Sequence, residues 1–196
     1  MTDVLLLHHA QGLTPGVEAF ADRLRAAGHR LTVPDLYEGA TFDTVEEGVD
    51  HARSVGFDVV AGRGRAAADA LTPEVVYIGW SLGVVPGQQL AQTRPGALGA
   101  VLLESCLPAS ELGSGWPHAV ALQVHGMDAD PIFAGEGDLE AARELVAGVA
   151  GAELFLYPGD AHLFADSSLD SYDETAATLL VERVLGFLAT VDGRAR

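Results

Sequence analysis

Short apolar runs rich in β-forming residues alternate along this chain with stretches of helical period, and that alternation constrains the fold more than any other feature. The runs are Val4 to His8, Arg30 to Val33, Val75 to Ile78, Ala100 to Leu103, Ala119 to Val124 and Glu153 to Tyr157, bounded by turn residues. Between most of them lie helical stretches: Gly16 to Ala27, Thr44 to Leu71 with a break near Gly56, Leu82 to Thr93, Leu139 to Ala150, and Asp173 to Ala189. Val75-Val76-Tyr77-Ile78 and Val101-Leu102-Leu103 are apolar at every position, so both faces of these strands need covering. An α/β fold answers that need, with a mostly parallel sheet of about six or seven strands and helices on both faces. The stretch from Leu103 to Ala119 is less regular and has room for a turn or two of helix. No repeat, low-complexity tract or linker interrupts the series, so residues 1–196 read as one domain without a large lid.

Composition narrows the partners. The formal net charge is −17, from 28 Asp and Glu against 11 basic residues, every one of them Arg. Arg53, Arg63, Arg65, Arg94 and Arg143 are scattered rather than gathered into a stripe, which disfavours nucleic acid and an anionic membrane surface as partners. Cys106 is the only cysteine, so no intramolecular disulfide and no thiolate metal cluster is expected. Met1-Thr2-Asp3 carries no basic leader and no apolar run approaches a membrane span, which points to a cytoplasmic protein, a monomer or small homo-oligomer. Gly62-Arg63-Gly64-Arg65 reads as a flexible turn between two halves of a helical region, and Asp192 to Arg196 as a frayed tail.

One five-residue stretch carries chemistry. Gly79-Trp80-Ser81-Leu82-Gly83 fits G-x-S-x-G, a short pattern that gains its meaning from context. The strand Val75 to Ile78 enters it and a helical segment leaves from Leu82, the strand-turn-helix that exposes a nucleophilic serine on a sharp turn. Gly79 and Gly83 remove side chains that would collide across that turn. Ser81 at a helix start also places the Leu82 N–H and the positive end of the helix dipole beside a reacting carbonyl. Pro86, just inside the helix, predicts an irregular first turn.

A serine hydroxyl needs a histidine to take its proton and a carboxylate to orient that histidine. In α/β-hydrolases these follow in the order serine, acid, histidine, on loops after later strands. His162 fits as the base, since it follows the strand ending at Tyr157 and the turn Pro158-Gly159-Asp160. Asp130 is the favoured acid, held outside the helical region by Pro131, with Asp128 second and Glu104 third. The second oxyanion N–H is expected from Gln11 or Gly12, in the loop after the first strand. His29, His51, His118 and His125 suit surface or supporting roles. His8 and His9 point to opposite faces of a strand and have no third ligand at a plausible spacing, so no metal site is expected.

Taken together, His8-His9-Ala10-Gln11-Gly12, Pro34-Asp35-Leu36-Tyr37, the elbow, Asp130-Pro131, and Tyr157-Pro158-Gly159 leading to His162-Leu163-Phe164 resemble the dienelactone hydrolase family of compact, lidless α/β-hydrolases. The resemblance runs over most of the chain. It implies a triad of Ser81, Asp130 and His162, Tyr37 near the pocket, and no metal or organic cofactor. Two positions depart from the family's best-known members. Ser81 stands where those carry cysteine, and Cys106 lies outside any elbow as a small buried residue. Asp166 stands in the stretch where those carry a substrate-holding arginine, and an aspartate there would repel an anionic substrate. The expected substrate is therefore a small neutral or cationic ester or lactone, held against Trp80, Phe133 and Phe164, cleaved through an acyl-Ser81 intermediate. Acyl transfer with the same triad, or a non-catalytic module that kept the pocket, are the alternatives. Three ordered catalytic side chains argue against the second.

Overall fold

A computed structural model describes residues 1–194. Six strands are all parallel: β1 (Asp3–Leu7), β2 (Arg30–Thr32), β3 (Val75–Trp80), β4 (Gly99–Leu103), β5 (Ala121–Met127) and β6 (Glu153–Tyr157). Their spatial order is β2-β1-β3-β4-β5-β6, so the chain first winds outward to β2 and then returns across β1 to build the rest in sequence. The reversal puts β3, the strand that enters the elbow, next to β1. Ligands of open α/β sheets bind at such a switch point, beyond the carboxyl ends of the strands.

The two-residue period of the strands divides the core. Val4, Leu6, Val76, Ile78, Trp80, Val101 and Leu103 face α1 (Pro15–Ala26) and α7 (Glu174–Arg194), whose Phe20, Leu24, Leu180, Val184 and Leu188 fill the same cluster. Leu5, Leu7, Val75, Tyr77, Ala100, Leu102, Leu122 and Val124 face the opposite way. There they meet α2 (Val45–Val55), α3 (Phe57–Asp69), α4 (Val84–Thr93) and α6 (Asp138–Gly148) through residues such as Ala52, Val60, Leu90 and Leu145. Both clusters hold fully buried side chains, as strands apolar on both faces require.

Local chemistry sets the helix limits. Thr14 caps α1 and Pro15 begins it, where a missing N–H costs nothing. Thr44 and Glu47 form a capping box for α2, and Gly56, at φ 101°, separates α2 from α3. A short α5 (Ala109–Leu112) lies in the irregular connection after β4.

Two expectations change. Gly62-Arg63-Gly64-Arg65 lies inside continuous α3 rather than in a turn. A Cβ at Gly64 would press within 3.3 Å of Leu7 and 3.4 Å of Pro86, so the glycine is there for close packing. Asp192–Arg194 is helical, the end of α7, and the Met1 amino group lies 2.7 Å from Asp192. Residues 195 and 196 of the expected tail lie outside the described residues. No helix among them is long and apolar enough to cross a membrane.

Candidate active site

β3 ends at Trp80, and the next three residues, Ser81–Gly83, form a 3-10 turn before α4 begins at Val84. The turn is as tight as its glycines imply. A Cβ on Gly79 would stand 2.5 Å from Val84 Cα, and one on Gly83 would stand 2.2 Å from the Leu7 carbonyl oxygen. Ser81 has φ 48°, a left-handed conformation unfavourable for any residue with a side chain. The irregular first turn expected from Pro86 is this 3-10 segment, and Pro86 itself sits in the first turn of α4.

The loops that follow β5 and β6 meet Ser81 from across the sheet. Asp128 N–H donates to the Tyr157 carbonyl and Ala129 N–H to the Gly159 carbonyl, both at 2.9 Å, so the two loops continue the pairing of their strands. Phe133 folds back onto β5, where a Cβ on Gly126 would meet its ring at 2.3 Å. Asp130 Oδ1 accepts the Ile132 N–H at 2.8 Å, which leaves Oδ2 free to face His162.

Three side chains then form a continuous line. Ser81 Oγ lies 2.9 Å from His162 Nε2, and His162 Nδ1 lies 2.6 Å from Asp130 Oδ2. A carboxylate only accepts, so Nδ1 carries the proton and Nε2 is left to accept from the serine hydroxyl. Asp130 is fully buried and Ser81 keeps 9% of its surface exposed. Burial is the largest influence on His162 and would lower its pKa. The bond to Asp130 and the charges of Glu104, Asp130 and Asp138 together outweigh it, so the imidazole titrates above its ordinary 6.5. Asp128 is exposed and accepts the Gly159 N–H at 3.1 Å, a loop support. Glu104 is fully buried and bonded to Trp80 Nε1 and the Phe164 N–H rather than to His162.

The loop after β1 differs from expectation. Gln11 N–H donates to His9 Nδ1 at 3.2 Å and Gly12 N–H to the His9 carbonyl at 3.1 Å, so neither amide is available to an oxyanion. The Ala10 N–H donates to no acceptor among the described residues, and the Leu82 N–H lies at the start of the 3-10 turn, where helix-start N–H groups lack an intrahelical partner. His9 owes its position to Asp166, whose Oδ2 lies 2.8 Å from its Nε2. Asp166 also accepts from the Thr14 hydroxyl, the Ser168 N–H and the Ser168 hydroxyl. Burial, the largest single influence, would raise the Asp166 pKa, but these bonds prevail and hold it low. Asp166 is thus a fully buried carboxylate that fixes a loop, not an open charge facing substrate.

The aromatic residues expected in the pocket are also buried. Trp80, Phe133 and Phe164 have no exposed surface, and Tyr37 has 3%, its hydroxyl donating to the Gly48 carbonyl at 3.1 Å. Trp80 lies on the same strand face as Val76 and Ile78, which is the α1 and α7 side of the core. His8 likewise serves the fold, with Nδ1–H donating to the His9 carbonyl and Nε2 accepting the Leu36 N–H. Among the described residues no cluster of His, Cys, Asp and Glu has the form of a metal site. Cys106 is buried, and burial pushes its thiol up to about 12.

The dienelactone hydrolase family matches residues 2–192. The chain belongs to the dienelactone hydrolase family. Solved structures similar to it share the fold at low identity. A candidate dienelactone hydrolase from Klebsiella pneumoniae subsp. pneumoniae superposes with a TM-score of 0.74 at 18% identity, over 96% of this chain and 87% of that one. A dienelactone hydrolase-like promiscuous phosphotriesterase from metagenomic libraries gives 0.72 at 17%, over 97% and 87%. The dienelactone hydrolase of Anabaena variabilis gives 0.65 at 20%, over 96% and 86%. No curated protein matches the chain. Membership in this family of α/β-hydrolases supports a hydrolase.

Proposed function

We propose that this family member is a serine hydrolase that cleaves a small carboxylic ester or lactone through an acyl-Ser81 intermediate. The unbroken line from Ser81 Oγ to His162 Nε2 and from His162 Nδ1 to Asp130 carries the reading. Ser81 Oγ attacks the carbonyl carbon while its proton passes to His162 Nε2. Asp130 holds the imidazole in the required tautomer and faces the imidazolium that forms. The developing oxyanion is received by the Leu82 and Ala10 N–H groups. His162 then gives its proton to the leaving alkoxide as the carbon-oxygen bond breaks. Water attacks the acyl-serine with His162 again taking the proton, and the acid product leaves with Ser81 restored.

With Asp166 enclosed, the preference for a neutral substrate rests on the net charge of −17, which disfavours approach of an anion. A carboxylate-bearing ester is therefore expected to turn over more slowly than its neutral match. The buried lone thiol of Cys106 suits work in the cytoplasm.

The deciding experiment is labelling with a fluorophosphonate on a neutral ester-hydrolysing preparation. Adduct mass is expected on the peptide bearing Ser81, and Ser81→Ala should lose on the order of 10⁴ or more in kcat. Full esterase activity in Ser81→Ala would refute the mechanism.

A further inference from the structure

Glu104 is a fully buried carboxylate near the triad that the mechanism does not use. It closes β4, the strand between the one that leads to Ser81 and the one that leads to Asp130. Its two oxygens have different partners. Oε2 accepts Trp80 Nε1–H at 2.7 Å, from the residue before the nucleophile, and Oε1 accepts the Phe164 N–H at 3.0 Å, two residues beyond the base. One side chain therefore spans the strand that presents Ser81 and the loop that presents His162.

That bridge is maintained at a cost. Glu104 has φ 58°, where a side chain costs about 1–2 kcal/mol and glycine would cost little. Its carboxylate has no cationic partner in hydrogen-bond contact, and burial pushes its pKa up to about 7. The ionisable groups acting on it are His162, which favours its charged form, and Asp130, which opposes it. Leu163, between His162 and Phe164, is also left-handed at φ 62°, so the base loop bends sharply where Glu104 grips it.

We propose that Glu104 is a positioning residue for His162: it sets the spacing between nucleophile strand and base loop, and once ionised it presents a second negative charge to the imidazolium formed during the reaction. This rests on His162 being the base. Asp130 orients the ring through Nδ1, whereas Glu104 acts through the backbone behind the ring and through its charge.

The test is Glu104→Gln, close to the wild type in shape but uncharged and unable to accept both N–H groups. Kinetics on a neutral ester across pH, the rate of fluorophosphonate labelling and thermal unfolding are measured together with Asp130→Asn. For Glu104→Gln we expect kcat to fall about 10- to 100-fold with KM nearly unchanged, the loss typical of a slightly misplaced catalytic group. The acid limb of kcat/KM should move to lower pH over the range in which Glu104 is ionised, because a charge that raises the His162 pKa has gone. Trp80→Phe keeps an aromatic six-membered ring and removes the indole N–H together with the fused five-membered ring, so it provides a second reading, corrected for its own loss of buried packing by thermal unfolding, if the glutamine variant folds poorly. It should slow labelling, and adding Glu104→Gln to it should cost less than the two single losses combined. A lower unfolding temperature with kcat and acid limb unmoved would make Glu104 merely structural and overturn the proposal. So would a loss that exceeds that of Asp130→Asn, which would make Glu104 the principal acid. Failure of the triad reading itself would appear separately, as full activity in Ser81→Ala.

Discussion

A Cβ on Gly16 would stand 1.6 Å from Asp166 Oδ1, so the carboxylate reaches His9 only because the first turn of α1 offers no side chain there. Burial, its largest influence, lowers the His9 pKa more than Asp166 raises it, and the ring is therefore a neutral prop. Its Nδ1 takes the Gln11 N–H and so decides which amide of the loop remains open. Asp166→Ala should let that ring turn and the Ala10 N–H drift. A fall of about tenfold or more in kcat is expected, part of the 10²–10³ seen when an oxyanion donor is removed outright. Labelling of Ser81 should persist, though more slowly, and an unchanged kcat would contradict the role. Ser81, Asp130 and His162 were legible in the sequence because each is marked locally, by flanking glycines, by a following proline, and by a strand-end turn. The open Ala10 amide was not, because which of three successive N–H groups stays unbonded depends on where a histidine ring points. The buried state of Trp80 was within reach, since strand alternation already puts it beside Val76 and Ile78. Proximity to the motif in sequence pointed the other way.

Among the elements, the elbow tolerates least. Gly83 lies against the main chain at the end of β1, with the Leu7 and His8 carbonyl oxygens 2.2 and 2.7 Å from where a Cβ would be, and β1 cannot yield without disturbing the sheet. Gly83→Ala is expected to cost about 2–3 kcal/mol or more as an overpacked site. A lower urea midpoint, with Ser81 labelling reduced at temperatures where the variant is still folded, would bear this out. Strands and helices were mostly readable from period and punctuation, with most limits shifted by a residue or two, while β5 runs three residues and α7 five residues past the expected ends. The exception is α3, where two glycines and two arginines mimic a turn. Propensity alone disfavours a helix through Gly62 and Gly64. Packing decides otherwise, because Gly64 lets α3 approach Leu7 and Pro86 closely.

For the molecule as a whole, buried titratable groups govern the response to pH. Burial pushes His8 down to about 4 and His125 down to about 3, and it lowers His9 as well. A histidine with a depressed folded pKa contributes stability that is complete above the ordinary value of 6.5 and is lost as the pH falls from there through the folded value. Glu104 works oppositely, since its ionisation removes stability as the pH rises from its ordinary 4.5 through about 7. Three imidazoles outweigh one carboxyl between these limits. The urea midpoint should therefore drop from pH 6.5 to 4.5. Urea titrations at several pH values check this, and a flat or rising midpoint on acidification would contradict it. The overall architecture was readable because strands apolar on both faces have few alternatives to a covered parallel sheet. The strand order was not, since it depends on contacts between distant segments.

That order has a consequence during synthesis. Ser81 and His162 are separated by 81 residues, and His162 follows β6, the last strand of the sheet among the described residues. At about 5–20 residues per second the ribosome needs roughly 4–16 s to pass from one to the other. For that interval the growing chain holds Ser81 without His162, so the proposed activity can arrive only after β6 and the loop beyond it have been made.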